Sequence, residues 1–95
     1  MAAYIIVDIV VHDTTAYERY KALAPASIEA YGGRYIARGG KTATLEGDWA
    51  PQRLVILEFP DVETARAWQA SPDYAPARAI RESCASAQMI VVEGL

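Results

Sequence analysis

Ninety-five residues make one domain, too short to split and long enough to hold a modest core without disulfides or metal. A net charge of -3 argues against nucleic acid and against a basic membrane-binding face. With 53% hydrophobic residues the chain is apolar for its size, so some apolar surface is expected to meet a partner, most simply a second copy. A single cysteine, Cys84, cannot close an internal disulfide and fits a reducing cytoplasm. The N-terminal stretch lacks a basic start and a small-residue cleavage pattern, and no apolar run reaches the length of a membrane span. A cytoplasmic protein is the expectation.

Tyr4 to His12 alternates with period two, as a strand does. Ile5, Val7, Ile9 and Val11 form an aliphatic face suited to carry helices. Tyr4, Ile6, Asp8, Val10 and His12 form a mixed one. Thr14 or Thr15 offers an N-cap for the next helix, and Thr15 with Glu18 has capping-box form. Tyr17, Tyr20, Ala24, Ile28 and Tyr31 recur at helical spacing. Pro25 interrupts that run and is expected to kink or split the helix, which Gly32 and Gly33 then end.

Arg34 to Arg38 reads as a short strand broken at Gly39-Gly40 by a bulge or bend. Thr42 to Glu46 is expected to resume it before a turn over residues 47–52. Arg53 to Phe59 is nearly continuous in apolar residues, as a central strand should be. Asp61 caps a helix with Ala65 and Trp68 inward. Ser71-Pro72 reads as a second helix start that runs to about Ala85 and places Tyr74, Arg78 and Arg81 on one side. Gln88 to Glu93 is the last strand.

The order strand, helix, strand, strand, helix, strand is that of an α+β, ferredoxin-like (βαββαβ) domain, with a four-stranded antiparallel sheet and both helices on one face. The other face then has no cover within the chain. A second copy packing there, giving a homodimer, is the physical expectation.

Several stretches taken together carry a family resemblance: Tyr31-Gly32-Gly33-Arg34, Arg38-Gly39-Gly40, Leu45-Glu46-Gly47-Asp48-Trp49, Glu58-Phe59-Pro60-Asp61, Ala67-Trp68, Ser71-Pro72-Asp73-Tyr74 and Val92-Glu93-Gly94. Over nearly the whole chain they resemble the domain of unknown function 1330 family, within the dimeric α/β-barrel superfamily. The resemblance implies a ferredoxin-like protomer whose sheet pairs with that of a second protomer. It implies no activity, since none is assigned to the family. Related families include small cofactor-free monooxygenases, isomerases, haem-handling enzymes and ligand-sensing domains, and fold does not choose among them.

Strand alternation puts Asp8 and His12 on one side, and Arg38 and Glu58 are placed to face the same space from neighbouring strands. A histidine, two carboxylates and an arginine suffice for proton transfer or for holding a small carboxylate. The plainer reading makes His12 a solvated strand end and Arg38–Glu58 a cross-strand ion pair. Arg38 is retained as the anion-holding residue because the family motif centres on it. Tyr17, Tyr20 and Tyr31 are read as core, with Tyr20 as the hydroxyl best placed to orient a ligand. Trp49, at a loop tip, is read as an interface anchor or a ligand lid.

Cys84 with the distant His12 makes a poor nucleophilic pair, and Gly40-Lys41-Thr42 fails as a phosphate loop because residue 35 is tyrosine. No spacing indicates a metal or cofactor site. Two functions remain open. One is a cofactor-free enzyme or binder for a small acidic or aromatic molecule. The other is a non-catalytic assembly module with no small-molecule chemistry.

Overall fold

In the computed structural model, which describes residues 1–95 throughout, β1 (Ala3–Val11) runs through the middle of a four-stranded sheet. The strand order is β2-β3-β1-β4, with β2 at Arg34–Arg38, β3 at Arg53–Phe59 and β4 at Ala85–Glu93. All neighbours are antiparallel. The alternation of β1 sets the two faces: Ile5, Val7 and Ile9 are buried under helices, while Tyr4, Ile6, Asp8 and Val10 face away. Antiparallel partners share a face, so Glu58 joins Tyr4, Ile56 joins Ile6, and Ile90 and Val92 extend the rows on β4. Ile90 and Val92 remain 61% and 45% exposed, because no helix covers that side.

The helices are α1 (Thr14–Ala30), α2 (Val62–Gln69) and α3 (Ala75–Cys84), all on the aliphatic side. The cap of α1 is Asp13, whose carboxylate accepts from the Ala16 backbone N–H at 3.2 Å. The expected Thr14 and Thr15 lie inside the helix instead. An anion just before the first turn also meets the positive end of the helix dipole. Pro25 neither kinks α1 enough to interrupt it nor splits it. At the other end, Gly32 takes φ +71° and donates to Glu29 O, while Gly33 donates to Ile28 O. That bond pair is a Schellman stop, and it needs a residue at home in the left-handed region.

Asp61 caps α2 as expected, accepting from the Thr64 N–H at 2.7 Å. The Ser71 hydroxyl does cap a turn, accepting from the Tyr74 N–H at 3.1 Å. Regular helix starts only at Ala75, with Pro76 in its first turn. The strand expected at Thr42 to Glu46 does not form. Gly39 N–H makes a last bond to Leu54 O, and residues 40–50 then stay exposed with no neighbouring strand to pair with. β4 begins three residues before the expected Gln88, because Ala85 pairs with Val11 although Ala85-Ser86-Ala87 carries no strand signal.

Trp68, Tyr74 and Phe59 are the centre of the core, each at most 1% exposed. Trp68 lies 4.1 Å from the Tyr74 ring centre and 5.4 Å from that of Phe59. Burying three aromatic side chains of this size dominates the stability of so small a domain. No helix is long and apolar enough to cross a membrane.

Candidate functional site

The site is decided by one extra residue in β2. Arg34 pairs with Glu58 and Tyr35 with Leu57, but Ala37 then pairs with Ile56 and Arg38 with Val55. Ile36 is therefore a bulge, three positions before the first of the glycines where the break was expected. Side chains alternate with period two, so one inserted residue moves everything after it to the opposite face. Arg34 lies on the open face. Arg38, of the same parity in sequence, lies on the helix face.

This corrects the expected grouping of Arg38 with Asp8, His12 and Glu58. Glu58 pairs with Arg34, Nε to Oε1 at 2.7 Å, which holds its carboxyl below the usual carboxylate range. Asp8 accepts from the Trp49 indole N–H at 2.9 Å, so the loop of residues 40–52 folds back onto the open face. His12 sits just past the end of β1, exposed, with Nε2 2.8 Å from the Ser86 hydroxyl. These three share the open side, each with a partner of its own. Cys84 is buried, and burial raises its thiol pKa, which disfavours a nucleophile.

Arg38 instead reaches α1. Its Nη2 donates to Lys21 O at 2.9 Å, and its guanidinium lies 4.4 Å from the Tyr35 ring centre. Lys21 O is available because the residue four positions later is Pro25, which has no N–H to offer it. The proline that sequence alone reads as a helix breaker thus frees the acceptor that fixes Arg38. Arg53 comes from the first residue of β3, in phase with Val55, Leu57 and Phe59. Its Nε donates to the Tyr17 hydroxyl at 3.0 Å, with its guanidinium 5.2 Å from that ring. A Cβ on Gly39, which sits at φ +70°, would run into this guanidinium.

Tyr17, Tyr20, Tyr35, Lys21, Arg38 and Arg53 surround a cleft between α1 and the sheet, floored by Val7, Val55 and Trp68. Its free volume is about 20 Å³, room for about one water. The two salt bridges in the protein are Lys21–Glu18 and Arg34–Glu58, so neither Arg38 nor Arg53 forms one, and the exposed Glu18 carboxylate feels both charges only at longer range. Burial first, and the adjacent Tyr74 hydroxyl second, push the Tyr20 phenol above its ordinary range; burial also raises that of Tyr35. Both therefore stay protonated donors at neutral pH.

Larger recesses, about 310 Å³ beside α2 and β4 and about 460 Å³ under residues 42–54, are open and gather no such set of groups. No trio of His, Cys, Asp or Glu converges to hold a metal. Arg53 was missed in the sequence. Its signal was its phase, a lone charge in the buried series of β3.

A four-stranded sheet with helices on one side and an open apolar face on the other defines a ferredoxin-like α+β protomer. The family model described as domain of unknown function (DUF1330) matches residues 2–95, and the chain belongs to that family. Similar folds include the RPA0582 protein of unknown function from Rhodopseudomonas palustris, with TM-score 0.80, 19% identity, and 99% of this chain and 82% of that one covered. A dimeric ferredoxin-like protein of unknown function from Jannaschia sp. CCS1 has TM-score 0.71, 14% identity, and 99% and 100% coverage. SnoaB, a cofactor-independent oxygenase from Streptomyces nogalater, has TM-score 0.67, 13% identity, and 99% and 93% coverage. At these identities the likeness is one of fold. No curated protein matches the chain.

Proposed function

We propose that the protein is a homodimer that binds a small organic anion, aromatic or otherwise planar, in the cleft between α1 and the sheet of each protomer. The observation that carries this reading is the pair of guanidiniums, Arg38 and Arg53, at an aromatic-lined cleft with neither in a salt bridge. Guanidinium is the side chain best shaped to grip a carboxylate with two parallel bonds, and tyrosine rings supply flat apolar walls. Tyr20 orients the ligand from within. A ligand larger than water enters by displacing the Arg38 side chain, which is exposed and held by one hydrogen bond and one stacking contact. Dimerisation through the open sheet face accounts for its exposed Val10, Ile90 and Val92, and Trp49 over Asp8 lies at its edge as an anchor.

Asp8, His12 and Glu58 do not line the cleft, so the geometry supports binding more strongly than general-base chemistry by those groups. An assembly module remains the second reading, favoured by the small free volume of the cleft.

The deciding experiment is a thermal-shift and calorimetric screen of the dimer against benzoates and phenols. A ligand at 100 times its Kd adds about 2.7 kcal/mol, a shift of several degrees for a domain of this size. Arg38→Ala is expected to abolish the shift while the protein stays folded and dimeric. Unfolding or dissociation of that variant would make Arg38 structural, and an empty screen would favour the assembly module.

A further inference from the structure

Arg81 has no role in the cleft described above, yet it is only 8% exposed and pairs with no carboxylate. Its Nε donates to the Tyr74 hydroxyl at 3.3 Å, and that hydroxyl lies 2.9 Å from the hydroxyl of Tyr20. The direction of the second bond follows by elimination. Arginine Nε–H can only donate, so the Tyr74 oxygen is the acceptor there. Tyr74 is 0% exposed, so water cannot take its own proton. The acceptor within reach is the Tyr20 oxygen. The opposite arrangement would leave a buried hydroxyl proton without a partner, which native interiors rarely tolerate.

We propose that Arg81, Tyr74 and Tyr20 form a one-way hydrogen-bond chain that leaves the Tyr20 proton free for donation into the cleft. The site then takes a ligand with an acceptor oxygen (a carbonyl, enolate or carboxylate) at its Tyr20 end, opposite an anionic group held by Arg38 and Arg53. A cation at the head of the chain can only donate, and this fixes the direction of each bond after it. Arg81 and Tyr74 are positioning residues, acting through Tyr20. This inference rests on the reading of the cleft as a ligand site, although the direction of the chain can be tested without any ligand.

The first test is nuclear magnetic resonance on the dimer with isotope-labelled tyrosine. The hydroxyl proton protected from exchange should belong to Tyr74 and vanish in Tyr74→Phe, while that of Tyr20 exchanges quickly. A protected Tyr20 proton would reverse the chain and overturn the proposal. The second test compares para-acetylbenzoate with para-isopropenylbenzoate, which has the same shape but no acceptor oxygen. Wild-type protein should favour the acetyl compound by about threefold to tenfold, the worth of one hydrogen bond.

Tyr20→Phe should erase that preference, while Tyr74→Phe, which keeps the ring that packs on Trp68, should only reduce it. Arg81→Met should reduce the preference and Arg81→Lys partly restore it, which a merely packing role would not do. Equal binding of the two probes, still lost in Arg38→Ala, overturns the chain and leaves the cleft reading standing. Binding of neither overturns both.

Discussion

The two faces of the sheet handle polar groups in opposite ways. On the open face each candidate side chain is matched locally: Glu58 to Arg34, Asp8 to Trp49, His12 to Ser86. On the helix face, Arg38, Arg53 and Arg81 are held by a carbonyl and by phenols, and none of them is in a salt bridge. Exposed ion pairs contribute little because water already screens them. Charges set among aromatic rings feel a weaker screen, and a ligand anion arriving there gains more. Where charge is left unmatched, rather than where charged residues are most numerous, points to the binding side.

The largest test of that contrast is Trp68→Ala. Removing a buried indole that packs on Tyr74 and Phe59 and donates to Ser27 should cost about 3–5 kcal/mol, read as a lower midpoint in urea. Since a domain has only about 5–15 kcal/mol in all, this variant approaches the limit of folding. Gly33→Ala comes next. Its Cβ would stand 2.5 Å from the Phe59 ring, and overpacking of that kind costs about 1–3 kcal/mol in the same measurement.

On the open face Ile90→Lys should change the stability of the isolated protomer by no more than about 0.5 kcal/mol, because the side chain is already 61% exposed. Its expected effect is on mass. Sedimentation should move from dimer to the 10.4 kDa protomer, and an unchanged dimer would place the interface elsewhere.

The smallest effect is acid-side. Glu58 has its folded pKa depressed by the Arg34 hydrogen bond, so the unfolded chain binds its proton more readily. The stabilisation is present above the ordinary carboxylate pKa and is lost as pH falls through the depressed value. Glu58→Gln should therefore flatten the acid limb of the stability profile slightly, lowering stability a little at neutral pH and leaving it unchanged below the depressed pKa. A steeper limb in that variant would contradict the sign.

Much of the fold is determined by the sequence alone. Period-two alternation in β1 assigns its faces, Gly32 and Gly33 end α1, Asp61 opens α2, and the four-strand, helix-on-one-face order follows from the succession of patterns. These are local facts, set by side-chain periodicity and backbone preference within a few residues. The candidate site depends on tertiary structure. Ile36 becomes a bulge only because β2 must keep register with β3, and that slip carries Arg38 away from Asp8 and Glu58 and towards Arg53. Thr42 to Glu46 has strand-like residues but no neighbour to pair with. Pro25 reads as a breaker until the packing of β2 against α1 brings a guanidinium to the carbonyl it frees. Tyr74 meets Tyr20 across more than fifty residues of chain. Such contacts are set by how elements dock, which no pattern of neighbouring residues encodes.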